Sequence, residues 1–130
     1  MKSRWLDRTI FVNSSHYTLC TTEKQFRTAL KNFRVPKKEW PMFIAAWHSD
    51  ATTHFLENTQ DRKCAAIVCV SNYKDKTHAQ IAGLLCHEAV HIWQQTRTNL
   101  GEHSPSSELE AYAIQNLTQS LIEEFERQTQ

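Results

Sequence analysis

Leu84-Leu85-Cys86-His87-Glu88-Ala89-Val90-His91-Ile92-Trp93 decides how this chain is read. The run is apolar, lacks proline and carries His-Glu-x-x-His. Residues four apart share one face of an α-helix, so His87 and His91 offer two imidazoles to one metal ion. Glu88 lies one step round the turn, within reach of a water on that metal. Rotation of residues 79–95 by about 100° each gathers Gln80, His87, Glu88, His91, Gln94 and Gln95 in roughly a third of the circumference. Ile81, Ala82, Leu85, Cys86, Ala89, Ile92 and Trp93 fill the remainder. An ordinary surface helix shows a wide charged face. This pattern instead predicts a mostly buried helix whose narrow polar stripe floors a cleft. The competing reading is two histidines making ordinary hydrogen bonds. The helical context and the polar stripe favour a metal.

The chain has 130 residues, of which 40% are apolar, enough for one core and one domain. Two glycines leave no room for a Gly-rich phosphate loop or a flexible linker. Charge is nearly balanced overall but uneven: residues 1–63 hold eleven Lys/Arg and six Asp/Glu, residues 64–130 four and eight. Two solvated faces account for this, and no nucleic-acid motif supports a nucleic-acid partner. Met1 to Arg8 is charged and lacks the apolar stretch of a signal peptide, and no run reaches transmembrane length. A cytoplasmic protein without membrane contact is expected. In that reducing compartment Cys20, Cys64, Cys69 and Cys86 read as small buried residues, not bridges or ligands.

Working outward from the motif, the helix is expected from about His78 to Arg97, with Asn99-Leu100-Gly101 as its stop. Ser104 as cap and Pro105 at the first helical position would open the last helix, which runs to about Arg127. Upstream, Thr52–Leu56 and Cys64–Val70 read as a strand pair around a polar turn. Thr9-Ile10-Phe11-Val12 reads as a first strand. Thr22-Glu23-Lys24-Gln25 forms a capping box for a helix reaching about Phe33. Trp40, Phe43, Ile44 and Trp47 read as core in a segment that is either a short helix or irregular.

A catalytic zinc takes three protein ligands and leaves one position for water. The last helix offers two glutamates, beginning seventeen residues beyond His91. Leu109, Ala113, Leu117, Leu121 and Phe125 define its core stripe. Glu110 lies near the middle of that stripe, where a buried carboxylate needs a partner such as a metal. Glu108 lies off it, on the side of Tyr112 and Gln115.

His-Glu-x-x-His followed by a second helix carrying Glu-x-x-Ala-(Asp/Asn/Tyr) resembles the gluzincin pattern of zinc metallopeptidases, which small intracellular and phage-encoded proteins share. The resemblance is firm over residues 81–97 and 106–117, loose over 52–70 and absent from the first 45. It implies Glu108 as the third zinc ligand beside His87 and His91, so pattern favours Glu108 and burial Glu110. Tyr112 stands where many relatives have Asp or Asn. The implied fold is α+β: a minimal zincin-like domain over residues 1–130, its small, mostly antiparallel sheet of about three strands packed on the motif helix and the glutamate helix. The implied activity is hydrolysis of a peptide bond in a peptide or a restricted protein target. Zinc would lower the pKa of a water from about 16 towards 7, and Glu88 would accept its proton as general base. Tyr112 is favoured over His103 and Tyr73 as donor to the oxyanion. Thr52–Leu56 would pair with substrate backbone, with His54 a surface or hydrogen-bonding residue and not a ligand. Two alternatives stand beside this. One is a zinc-binding scaffold or weakened peptidase, in which a fourth ligand such as His103 closes the site. The other is a nucleic-acid-associated or anti-defence protein using the basic first half.

Overall fold

A computed structural model describes residues 1–8, 15–46 and 48–130. Among these residues the strands and α-helices follow in the order β1 (Ser15–Cys20), α1 (Glu23–Asn32), β2 (Ala51–Glu57), β3 (Cys64–Val70), α2 (His78–Asn99) and α3 (Ser107–Thr129). The strands form one sheet ordered β1-β3-β2. β2 and β3 are antiparallel, whereas β1 runs parallel to β3 with Ser15 opposite Cys64 and Cys20 opposite Cys69. The architecture is α+β as expected, but the sheet is mixed, not mostly antiparallel. The difference comes from β1, which reaches β3 through α1 and the strand β2, a crossover that permits parallel pairing. The expected strand at Thr9–Val12 lies outside the described residues, as does the expected core residue Trp47.

Alternation along β3, buried almost throughout, divides the core. Ala66, Val68 and Val70 join Tyr17 and Leu19 of β1 beneath Ile81, Leu85, Ala89, Ile92 and Trp93 of α2 and Ala113, Leu117, Leu121 and Phe125 of α3. Ile67, Cys69 and Cys20 face the other way, against Phe26, Ala29 and Leu30 of α1 and Val35. Trp40, Phe43 and Ile44 pack against this second cluster, and their segment is one 3-10 turn (Lys37–Glu39) followed by irregular chain. The sheet is therefore covered by helices on both faces.

The helix ends show why these segments fold locally. Thr22 and Gln25 form the expected capping box on α1, and Thr77 and Gln80 form another on α2. Gly101, at φ 71°, ends α2 through two reversed bonds, Gly101 N–H to Thr98 O and Glu102 N–H to Arg97 O. Arg34 serves the same purpose after α1 at φ 60°, with Val35 N–H bonded to Leu30 O. α3 starts later than the sequence pattern predicts. Ser106, not Ser104, accepts from the Leu109 N–H, and Pro105 precedes the cap.

Residues 1–8 close the free edge of β1. Leu6 N–H bonds Tyr17 O at 2.9 Å, and Thr18 O–H bonds Arg4 O at 2.5 Å. β2 is the opposite edge of the sheet. Of the cysteines, Cys20 and Cys69 are buried as expected, and burial pushes both thiols up. Cys64 is only half-buried and Cys86 is exposed, because α2 is covered on one side only. No helix among the described residues is long and apolar enough to cross a membrane.

His54 lies on the α1 side of β2, opposite Ile67, stacked on Phe26 at 5.0 Å and donating to the Phe43 carbonyl at 2.9 Å. Of the two roles expected of it, surface or hydrogen-bonding, it is buried and has the second. Burial lowers its pKa, against smaller raising effects from the Phe43 carbonyl and Glu88. A base whose folded pKa is depressed contributes its full stability above the unfolded value, about 6.5. That stability is lost as pH falls from there through the lower native value. The midpoint of thermal unfolding should therefore drop between about pH 7.5 and about pH 5.5, and His54→Gln should show a smaller drop. His16, which burial also lowers, remains in both proteins. An equal drop in the two would remove His54 as the source.

Candidate metal centre

α2 is long and continuous through the motif, so His87 and His91 stand one turn apart on the same face. Their Nε2 atoms are 3.1 Å apart, within hydrogen-bond distance of each other, and the rings meet edge-on with centroids 4.8 Å apart. Two zinc–nitrogen bonds of about 2.0–2.1 Å at a tetrahedral angle place their nitrogens about 3.3 Å apart. The bite of the imidazole pair fits that geometry. The pair's orientation is supported from behind: His91 Nδ1 stands 3.3 Å from Gln94 Oε1, a carbonyl oxygen that only accepts. In the tautomer with its proton on Nδ1, His91 donates to Gln94 and keeps a lone pair on Nε2.

Glu88 takes a different direction. Its side chain is buried, at 4% exposure, and its Oε2 accepts from the Thr53 hydroxyl of edge strand β2. Thr53 pairs with Val68, so it lies on the α2 side of the sheet, with Phe55 two residues further on the same face. Lys76 and Asp50, bonded at 2.8 Å just ahead of α2 and β2, tie the starts of these two elements together. That ammonium, through its hydrogen bond, holds the Asp50 carboxyl below the usual carboxylate range.

The α3 residues fall elsewhere. Ala113, Leu117, Leu121 and Phe125 face inward, which leaves Glu108 and Tyr112 on the opposite side of the helix. Both are exposed, Tyr112 at 64%. Glu110 is half-buried, as its place in the stripe required, and its partner is the Trp93 indole N–H at 2.8 Å. The structure thus brings His87 and His91 together and sets Glu88 beside them on the buried side, but does not bring Glu108 or Glu110 to the pair. Among the described residues, no group of three His, Cys, Asp or Glu side chains is gathered for a metal ion. His103 is exposed, and Tyr73 packs edge-on against Phe125 at 5.4 Å, in the core contact between α2 and α3.

The expected cleft also takes another form. Gly83, Cys86, His87, His91 and Gln94 are all exposed, so the histidine face is an open surface and not a covered floor. The helical wheel assigned Cys86 to the covered arc. In the fold, the sheet and α3 cover only the side carrying Ile81, Leu85, Ala89, Ile92 and Trp93. Thr53 and Trp93 are the functional neighbours that sequence reasoning missed. Strand alternation could have placed Thr53 on the helix side, but nothing local connects Trp93 to Glu110.

Fold and site together define an α+β protein with a paired-imidazole helix packed on one face of a mixed sheet. Comparison with protein-family models, with characterised proteins and with solved structures gave no match to the chain.

Proposed function

We propose that the chain is a zinc-dependent peptidase of the gluzincin kind, acting on a peptide or a restricted protein target in the cytoplasm. One observation carries the reading. Two imidazole nitrogens stand at a metal bite of 3.1 Å, with a buried glutamate beside them anchored to the sheet edge. His87 and His91 would hold the zinc; the resemblance names Glu108 as third ligand, with Glu110 the alternative, and either would have to move to the pair, Glu110 by leaving the Trp93 indole. Zinc bound there would polarise a carbonyl and acidify a water. Glu88 takes the proton of the attacking water and returns it to the leaving amine. Thr53 fixes Glu88 by donating to Oε2, which leaves Oε1 as the basic atom. Gln94 favours the tautomer of His91 with its proton on Nδ1. Tyr112, on the outer side of α3, enters this reading only through the resemblance.

Metal content by mass spectrometry tests it, on the wild type beside His87→Ala, Glu108→Ala and Glu110→Ala. One zinc is expected in the wild type. Zinc affinity should fall roughly a hundredfold or more in His87→Ala, beyond what loss of a supporting hydrogen bond costs. One of the two glutamate variants should lose zinc as well, which identifies the third ligand. A wild type that carries no metal and rejects added zinc overturns the proposal.

A further inference from the structure

At the sheet edge opposite β2, three rings from separate parts of the chain meet. Trp5 stacks at a tilt on Phe33 with centroids 5.4 Å apart, and His16 meets Phe33 at 5.7 Å. Phe33 caps α1, His16 belongs to β1, and Trp5 lies in the segment that closes the β1 edge. Phe33 and His16 are half-buried, but Trp5 is 37% exposed, so an indole surface remains open on a ring fixed from behind. A tryptophan exposed over an aromatic base is an unusual use of a large apolar side chain, and it suits a flat partner.

Cations are carried by the same segments and by the neighbouring turn. Lys31 is exposed in the last turn of α1, and Arg34 follows Phe33 directly. The Arg34 guanidinium donates to Gln60 at 3.2 Å, which places it against the turn between β2 and β3. Lys63 stands beside β1 because the next residue, Cys64, is paired with Ser15. Burial lowers the pKa of His16, and the positive charges of Arg8 and Lys63 lower it further. Lys24 and Arg27 continue the row along the outer face of α1, spaced about 5 Å along the axis. The carboxylates nearby are Asp7, Asp61, which pairs with Lys63 at 3.9 Å, and Glu23, which pairs with Arg27 at 3.6 Å.

We propose that the Trp5–Phe33–His16 cluster, with Lys31, Arg34 and Lys63 around it, is a binding surface for single-stranded nucleic acid. Bases stack on Trp5 while the cations follow the phosphates, the combination by which unpaired strands are held without sequence preference. A duplex does not fit, because its base faces are already stacked on one another. An acidic lipid surface would use the cations but leave the stacked ring without a role. Strand addition by a protein is blocked, since residues 4–6 already occupy the β1 edge. The surface lies at the other edge of the sheet from Glu88 and Thr53 and is independent of the peptidase reading.

The test is fluorescence anisotropy of a labelled oligothymidylate titrated with the full chain at several salt concentrations between about 50 and 200 mM. Binding by the wild type should weaken with salt, with a logarithmic slope of about 0.7 per phosphate neutralised. Trp5→Ala should weaken binding about tenfold or more, and Trp5→Phe should restore most of it. Arg34→Gly should weaken binding and lower the salt slope by about one phosphate contact. Glycine adopts the backbone conformation at position 34, φ 60°, without strain, so this variant keeps its fold. Glu88→Gln should bind as the wild type does. No binding at the lowest salt overturns the proposal. So does wild-type affinity in Trp5→Ala, which would mean plain charge attraction, and so does equal affinity for duplex or for acidic-lipid vesicles.

Discussion

Glu88→Gln should lower peptide hydrolysis about 10²- to 10⁴-fold while zinc content stays at the wild-type level. That range is what a positioned general base contributes. The substitution is nearly isosteric, and its amide oxygen can accept from the Thr53 hydroxyl as Oε2 does now. The buried side of α2 therefore keeps its packing and its hydrogen bond. Only the capacity to take a proton is lost, so the fall should appear in kcat more than in KM. Equal hydrolysis by Glu88→Gln and wild type would remove Glu88 as the base even if zinc were present. A contaminating peptidase would give that same equality, and His87→Ala, prepared alongside, exposes it.

Glu124→Ala should destabilise the protein by about 3 kcal/mol, the usual scale for removing one side of a buried charged network. Glu124 is 3% exposed in α3. Its carboxylate accepts from Arg127 Nε at 2.7 Å and Nη2 at 2.6 Å, from Gln128 Nε2 at 2.7 Å and from the Arg4 backbone N–H at 3.0 Å. Burial alone would raise its pKa, but these bonds, those from Arg127 and Gln128 foremost, hold it below the usual carboxylate range. The residues it organises join the chain end to end. Arg127 also donates to Lys2 O, and Gln128 donates to Leu19 O. Truncation to alanine leaves these donors without their shared acceptor. Thermal unfolding should shift down by roughly 10 °C for a chain of this length. Glu124→Gln, which keeps one acceptor oxygen, should fall between alanine and wild type. In the wild type the Glu124 contribution is complete above the unfolded carboxylate pKa and lost as pH falls through the lower native value. A change in the midpoint of under about 2 °C in Glu124→Ala would show that the network adds nothing to stability.

Segments whose signals are local are legible in the sequence. β3 runs Cys64–Val70 as its pattern predicts, because seven consecutive apolar or small residues bounded by polar turns leave little choice. α1 begins at its Thr22–Gln25 box, and α2 spans the motif from His78 to the Gly101 stop. The pairing of His87 with His91 follows from helical geometry alone, and so the most specific part of the candidate site is visible in ten residues. Ser15–Cys20 is not legible as a strand. His16 and Thr18 alternate with Tyr17 and Leu19 as a strand requires, but the run is short, and what holds it is parallel bonding to a strand more than forty residues away. Periodicity also indicates that Glu110 needs a partner, but the Trp93 indole is found only by docking α3 on α2.

By itself, then, the sequence determined the helices, the β2–β3 hairpin, the two-imidazole bite and the position of a glutamate one step from it. These depend on φ/ψ preferences, caps and spacing within a few residues. The tertiary structure alone decided that the histidine face is open, that Glu88 turns inward to Thr53, that Glu108 lies on the exposed side of α3, and that Trp5 lies over Phe33. Each of those outcomes depends on which surfaces cover one another. The contacts involved join residues 28 apart, Trp5 and Phe33, and 35 apart, Thr53 and Glu88, distances over which a local pattern carries no information.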